Sequence, residues 1–589
     1  MSIETKLSTL RQLMEKNGID TYIITKLDPH QSEYAAAHWN GVQFICGFEG
    51  SAGMVVVTKN SAKFFTDSRY TVEAKLLFAN GPMDFSDIAS QYIDYAVQET
   101  PRGGTIGFDG RAMSALSADN ILEKCATNDI STKTDIDLLE EFWNDRPEIS
   151  QTPVYEHALE YCGTPRDEKL AKVRAQMAEL NATHYVISSL DDICWLFNLR
   201  GGDTPITTTF YAFALITADS ATLFADDKKI ADVRTILQAD NITISPYNAI
   251  YTHFIENNLS DAKVLVSPGK CCQNLYLAIT KHSTVEKIDT DITAALKAIK
   301  NSTEMASIEA AHVQDGAAIV RLIKWIRENV ATGNLTEYDI CQKVETLRKM
   351  GNTFVKRSFD TIAGYNGNGA IVHYRPSEKS TATLKPSGMV LVDSGGNYYN
   401  GTTDITRTIS LGEASSAMME DYTLVLKSHI SLAKAVFRKG TLAATVDMLA
   451  RAPMWEYFKH YNHGTCHGVG FFLNVHESFG TSLKAGQGSV LEPGMVLTNE
   501  PGMYIENSHG IRLENIIIVI EAASNEFGEF FKFKNVTMCP FDLNLVIPTM
   551  LTDAERSWLN AYHKQVYTTL CPLLTEAEQK FLQHECREI

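Results

Sequence analysis

Residues 389–410 read MVLVDSGGNYYNGTTDITRTIS. The apolar run VLV ends on Asp393, at the end of a strand-like segment. Asp404 comes eleven residues later. Between them stands Asn400-Gly401, a dipeptide strongly favoured at hairpin tips. Three more short motifs follow: HGTCHGVG contains His463 and His467, TNEPG sets Glu500 before a proline, and GIRLEN places Glu514 ahead of the apolar run Ile516 to Ile520.

Taken singly, each signal is weak. An aspartate after a strand is usually a turn or cap residue, and a Glu-Pro-Gly is usually a turn with a solvated acid. His463 and His467 have the i, i+4 spacing of a helical metal pair, but Gly464 and Gly468 argue against a helix there. Cys466 beside His467 raises a Cys–His nucleophile, which needs the histidine free to take the thiol proton. With His467 committed to metal, Cys466 reads as a small residue in a crowded loop.

Taken together, the motifs point to metal chemistry. Carboxylates next to strand cores such as MVLVD and LENIIIVI are costly to desolvate unless positive charge accompanies them. Two divalent cations balance the four charges of Asp393, Asp404, Glu500 and Glu514, and His467 adds a nitrogen ligand. Oxygen-rich ligation with one imidazole favours Mn²⁺, Co²⁺ or Zn²⁺, and no thiolate site is offered. Paired metals acidify a shared water and polarise a carbonyl, which is the chemistry of amide hydrolysis by a bridging hydroxide.

Outward from this region, the first half of the chain carries a faint repeat. TYIITKLDP from Thr21 aligns with HYVISSLDD from His184, and FFTDSRY from Phe64 parallels LFADDKK from Leu223. With strand-like runs at Met54–Thr58 and Ala212–Ile216, this reads as two similar α/β modules, residues 1–150 and 151–299. Near Lys300 a long helical pattern begins, from Asn301-Ser302-Thr303-Glu304 to Trp325, with Ser302 or Thr303 as the expected cap. This opens a third segment, 300–535. A helical extension, 536–589, starts at Leu551-Thr552-Asp553-Ala554-Glu555, and its Trp558, Leu559 and Tyr562 form an apolar face for a partner or for the chain itself.

A net charge of −18 over 589 residues disfavours nucleic acid and anionic membrane surfaces. Eleven scattered cysteines show neither a disulfide framework nor a Cys-x-x-Cys zinc pair, as expected in the reducing cytoplasm. The first residues are patterned as an amphipathic helix, with Ile3, Leu7, Leu10 and Leu13, rather than as a signal peptide. No run reaches the length of a membrane span. The sequon Asn400-Gly401-Thr402 lies where a glycan would crowd the cleft. Cys586-Arg587-Glu588-Ile589 lacks the aliphatic middle of a prenylation signal.

The five motifs resemble, in order, the metal-binding pattern of the metallopeptidases with the creatinase/methionine-aminopeptidase ("pita-bread") fold. The similarity covers nearly the whole chain. The two N-terminal modules, FNLRG from Phe197 and the tail SWLNAYH from Ser557 resemble the long, three-domain cytosolic Xaa-Pro aminopeptidases (aminopeptidase P) of eukaryotes. The resemblance implies an α/β and α+β architecture: two creatinase-like α/β modules, a pita-bread catalytic domain and a C-terminal extension. It implies hydrolysis of an N-terminal Xaa-Pro bond and two divalent ions per chain, with Mn²⁺ expected and Zn²⁺ or Co²⁺ as alternatives. The chain is expected to be a homodimer in the cytoplasm, acting on peptides with proline second and binding neither nucleic acid nor membrane.

The resemblance also assigns roles to individual residues. Asp393, Asp404, His467, Glu500 and Glu514 match the metal ligands, and Glu500 also handles the proton. His373, in IVHYRP, and His476, in NVHES, match histidines near the substrate that stabilise the tetrahedral intermediate. His463 matches the histidine on the carbonyl side of the scissile bond, and Tyr504 the tyrosine lining the proline pocket. Arg512 matches an arginine that orients a ligand carboxylate beside the substrate site. Alternatives on the same fold are a prolidase restricted to dipeptides, a methionine aminopeptidase, a creatinase and a binding protein that has lost its metal. The intact ligand set and the paired N-terminal modules favour the aminopeptidase.

Overall fold

The computed structural model describes residues 1–257, 259–477 and 489–589. It divides into two compact units, residues 1–158 with 164–295, and residues 159–163 with 296–589. The first unit opens with helix α1 (Ile3–Lys16), capped by Ser2, which buries Leu7, Leu10 and Met14 as its amphipathic spacing requires.

Two six-stranded sheets follow in this unit. The first consists of β1 (Thr21–Thr25), β2 (Met54–Thr58), β3 (Ala62–Phe65), β4 (Asp84–Ser86), β5 (Thr105–Phe108) and β6 (Ser131–Lys133), in the order β4-β3-β2-β1-β5-β6. The second consists of β7 (His184–Ile187), β8 (Ala212–Thr217), β9 (Ala221–Ala225), β10 (Ile242–Pro246), β11 (Lys263–Val266) and β12 (Thr284–Lys287). Its order, β10-β9-β8-β7-β11-β12, repeats the first strand for strand. Pair directions repeat as well: β1 is antiparallel to β2 and parallel to β5, as β7 is to β8 and β11. Tyr22 and Tyr185, aligned in the faint sequence repeat, are both buried at the second position of the central strand. The repeat is therefore one of topology, carried by few identical residues because strand cores accept many apolar choices.

The second unit begins with α2 (Ser302–Asn329). Its cap is Asn301 and not Ser302 or Thr303 as the sequence suggested. Asn301 Oδ1 accepts from Glu304 N at 2.9 Å, and the Glu304 carboxylate accepts from Asn301 N at 3.0 Å. Asparagine caps as well as serine, and the glutamate three positions on selects this register. Helix α3 (Glu337–Arg348) leads to the antiparallel sheet β13-β14-β15, formed by Ile362–Tyr365, Met389–Ser394 and Ile405–Ser410. Strands β14 and β15 belong to one long hairpin whose tip is Tyr399-Asn400. Gly401, expected in the turn, already pairs with Tyr398.

Helices α4 (Ser416–Ala433) and α5 (Ala443–Trp455) flank the first strand of a four-stranded antiparallel sheet. Its strands are β16 (Val436–Arg438), β17 (Val496–Asn499), β20 (Asn515–Asn525) and β21 (Gly528–Asn535), in the order β16-β21-β20-β17. Between β17 and β20 lies the hairpin β18 (Gly502–Ile505) and β19 (His509–Arg512). The tail forms α6 (Asp553–Leu570), with the expected capping box of Thr552 and Glu555, and α7 (Glu576–Glu585).

One core joins Val320 of α2, Leu426 of α4, Ile511 of β19, and Leu559 and Tyr562 of α6. Trp558 packs against this core and stacks on Tyr562, so the apolar face of the tail is consumed within its own chain. The side chain of Asn560 bonds both N and O of Ile589 at 3.1 Å, which ties down the last residues. The eleven cysteines are all free thiols, and among the described residues no helix is long and apolar enough to cross a membrane. Asn400 is buried, which leaves no room for a glycan.

Candidate metal centre

Strand geometry brings the motifs together. Asp393 is the penultimate residue of β14 and lies opposite Thr406 of β15, so the two side chains share one face. The corner after Asp393 turns tightly at Gly395, where a Cβ would stand 2.0 Å from Thr403 O. Asp404 sits at the mouth of β15, Glu500 just past the end of β17, and Glu514 between β19 and β20. His467 is held by a pair of bonds: its N donates to Thr498 Oγ1 at 2.9 Å, and Thr498 N donates to His467 O at 3.0 Å.

Ligand atoms of Asp404, His467 and Glu514 lie within 4.8 Å of one another, a grouping able to hold an ion. His467 Nε2 is 3.5 Å from Asp404 Oδ2 and 3.5 Å from Glu500 Oε1. Its Nδ1 faces Gly468 O at 2.9 Å, and a carbonyl only accepts, so the hydrogen resides on Nδ1. Nε2 is therefore the ring nitrogen turned toward the two carboxylates: it takes a proton and pairs with them when no metal is bound, and as the neutral ring it offers its lone pair to a cation. Asp393 Oδ1 and Asp404 Oδ1 are buried with no hydrogen-bond donor, as expected of atoms reserved for a metal.

Electrostatics agree with this reading. Burial raises the Asp404 carboxyl well above the usual carboxylate range, and the charges of Asp393 and Glu500 push it further. Glu514 is raised well above its ordinary value by burial, then by Asp404, Glu500 and Asp393. Burial also raises Glu500, against the pull of His467 and Arg512. Metal-free, the centre holds carboxylates that resist ionising together, so the residues present fit divalent ions.

Arg512 ties the centre to the substrate-side residues. It pairs with Asp393 Oδ2 at 2.5 Å and donates to Thr406 Oγ1 at 3.2 Å and to Tyr504 OH at 2.7 Å. Tyr504 OH in turn meets His463 Nε2 at 2.8 Å. Because the tyrosine oxygen accepts from Arg512, its own hydrogen is available to His463. His476 lies edge-on to His467, with ring centroids 4.5 Å apart. His373 is half-buried and follows Val372, whose carbonyl accepts from Arg512 at 3.4 Å.

Sequence reading missed three positions. Thr406 donates to Glu514 Oε2 at 2.7 Å. Thr498 positions His467 and lies 3.4 Å from Glu500 Oε1. Thr465 O accepts from Glu500 N at 2.9 Å. Thr406 falls opposite Asp393 only because the tip is Tyr399-Asn400; counting from the expected Asn400-Gly401 tip would have set Thr408 there. Cys466 is buried, and its thiol is pushed well above its ordinary range by burial and by the Asp447 and Glu500 charges, which keeps it protonated and unfit as a nucleophile.

Comparison with known proteins bears on the whole chain. Residues 306–521 match the model of metallopeptidase family M24, and residues 529–589 match the C-terminal region of that peptidase. Residues 6–140 and 145–304 each match a creatinase/prolidase N-terminal domain. A probable Xaa-Pro aminopeptidase P of Botryotinia fuckeliana is 37% identical, over 96% of this chain and 89% of that one. A protein of the same name in Fusarium vanettenii is 37% identical, over 95% of both chains. Among solved structures, the X-prolyl aminopeptidase of Caenorhabditis elegans, described as a cytosolic enzyme with a di-nuclear active site, is 30% identical. It superposes with a TM-score of 0.94 over 100% of both chains. These full-length likenesses lead to one conclusion: the chain belongs to metallopeptidase family M24, among its Xaa-Pro aminopeptidases with paired creatinase/prolidase N-terminal domains.

Proposed function

We propose that the protein is an aminopeptidase that cleaves the bond between an N-terminal residue and a following proline. Asp393, Asp404, His467, Glu500 and Glu514 would hold two divalent ions, Mn²⁺ first among Mn²⁺, Zn²⁺ and Co²⁺. The observation that carries this reading is His467 Nε2, directed at Asp404 and Glu500 amid carboxyls that burial pushes up. When bound, two such ions supply a shared water acidified for attack and polarise the scissile carbonyl.

The protein's own residues do the rest. Glu500 takes the proton of the attacking water at Oε2, the oxygen turned toward His463, and returns it to the departing proline nitrogen. That nitrogen carries no hydrogen in the peptide, so recognition falls to ring shape and to donors around the carbonyl. Tyr504 would line the proline pocket with its hydroxyl fixed between Arg512 and His463. His373 and His476 would donate to the carbonyl oxygen as charge develops, and His463 would lie against the carbonyl side of the scissile bond. Arg512 holds Asp393 in its ligating orientation, a task suited to its rigid fork.

The same reading extends to the setting of the enzyme. Eleven free thiols suit the cytoplasm, and four segments, 1–150, 151–299, 300–535 and 536–589, are its working organisation. A homodimer is supported by apolar side chains left in solvent at the end of α5, where Trp455 and Tyr457 are well exposed and Phe458 is 99% exposed. One experiment tests the activity: chelator-treated protein is reloaded with Mn²⁺, Zn²⁺ or Co²⁺ and offered an Xaa-Pro-Pro peptide and an Xaa-Pro dipeptide. Cleavage of the tripeptide after the first residue, only with metal, is expected. Activity confined to the dipeptide would make the enzyme a prolidase, and full activity without metal would refute the metal centre.

A further inference from the structure

Thr406 and Arg407 are consecutive on β15 and therefore face opposite ways. Thr406 turns toward the candidate metal ligands. Arg407 turns into the body of the unit, where it is 2% exposed.

Every donor of that guanidinium is occupied, and every acceptor is neutral. Nη1 donates to Thr406 O at 2.8 Å and Glu514 O at 2.6 Å. Nη2 donates to Asn515 Oδ1 at 2.7 Å, Cys539 O at 2.8 Å and Tyr562 OH at 3.2 Å, while Nε donates to Pro540 O at 3.0 Å. The Phe541 ring lies beneath, 4.3 Å from the guanidinium carbon. Among the described residues no carboxylate comes within ion-pair distance of Arg407. A buried cation held only by neutral oxygens is unusual, because burial normally demands a counter-charge. Here the negative charge lies one strand-thickness away, in the carboxylates on the far face of β15.

Glu514 is gripped at three points by two successive residues. Its N donates to Thr406 O at 3.1 Å, its Oε2 accepts from Thr406 Oγ1, and its carbonyl accepts from Arg407. Three of the other oxygens around Arg407 belong to Cys539, Pro540 and Tyr562, in the C-terminal region. Tyr562 OH also lies 2.9 Å from Thr537 O and from Cys539 O, which fastens that segment to α6.

We propose that Arg407 is a positioning residue of the metal centre, locking Glu514 to the C-terminal region so that residues 537–562 contribute to metal retention without touching a metal. The inference rests on the metal-centre reading above. Four carboxylates brought together repel one another, and a site that keeps them in place without metal binds metal more tightly than one that must gather them. Arg407 supplies that rigidity from behind, through the backbone of Glu514.

The test is Mn²⁺ binding by full-length protein, measured by competition with a fluorescent chelator, for the wild type, Arg407→Lys and Tyr562→Phe. Thermal unfolding of each metal-free protein is recorded in parallel. Arg407→Lys keeps the charge and loses the fork, and its affinity for at least one Mn²⁺ is expected to fall by roughly 10–100-fold. Tyr562→Phe is expected to fall in the same direction by a smaller factor. Variants that melt earlier yet bind Mn²⁺ as tightly as wild type would overturn the proposal, since Arg407 would then be a purely structural strut. If Arg407→Lys does not fold, unchanged affinity in Tyr562→Phe overturns it equally. Wild-type protein that binds no divalent ion at all would instead refute the metal-centre reading.

Discussion

The charge crowding at the metal centre makes a prediction about the metal-free protein that can be checked without any substrate. Asp404 is raised well above the ordinary carboxylate range, first by burial and then by Asp393 and Glu500. A carboxyl raised on folding binds its proton more tightly in the native state than in the unfolded chain. Stability is therefore greatest at acid pH and falls as pH rises from the unfolded value, near 4, through the raised native one. Each proton so retained gives a slope of about −1.4 kcal/mol per pH unit. In a cooperative unit of roughly 300 residues that slope moves Tm by about 2 °C for each pH unit over which the proton is retained.

Asp404→Asn removes the titration while preserving shape. Scanning calorimetry of chelator-treated wild type and variant between about pH 5 and pH 7 should show Asn gaining on Asp as pH rises. Comparing the two proteins cancels the titrating groups that Asp404 does not influence; Glu514, raised in part by Asp404, is less raised in the variant. Added Mn²⁺ should reverse the order, because only the wild type gains the full binding stabilisation. A variant that tracks the wild type in parallel at every pH, or that loses ground to it as pH rises without metal, would refute the reasoning.

Other outcomes follow from the same contacts. Tyr504→Phe breaks the link between Arg512 and His463; we expect kcat/KM on an Xaa-Pro-Pro peptide to drop by about 10²-fold with metal content unchanged. Glu477 is buried against Lys297 at 3.2 Å and beside Lys300. Glu477→Ala leaves both lysines without that carboxylate and should cost about 3–5 kcal/mol in urea unfolding. Cys466, buried and protonated, predicts that iodoacetamide spares the activity of folded enzyme whereas a chelator abolishes it.

Much of the centre was legible because its signals are local. Each proposed ligand sits within a few residues of a strand end or a glycine turn, and the surplus of acids near apolar runs shows in the chain itself. The two N-terminal sheets were legible only as a faint echo, since topology is conserved through packing that few identities record. What escaped notice depends on distance or on fine competition. Arg407 reads as one more exposed arginine in GTTDITRT, because its partners lie as far as 155 residues away. The α2 cap fell to Asn301 because Glu304 stands three residues after it, a geometry that Ser302 and Thr303 lack. The face of Trp558, Leu559 and Tyr562 has the same periodicity whether it meets a partner or its own core, and only the fold shows that it meets the core.

The hairpin of residues 389–410 keeps a single register from its base to its tip: Met389 faces Ser410, Asp393 faces Thr406 and Tyr398 faces Gly401. Surface turns usually tolerate insertions and deletions freely. This one cannot. A single extra residue at Tyr399-Asn400 would slide one strand against the other and turn either Asp393 or Thr406 to the wrong face of the sheet. The tip can vary in composition, yet its length is fixed by chemistry performed elsewhere. In a pool of random single-codon insertions across this chain, the tip should be as intolerant as the buried strands, although it lies at the end of a hairpin.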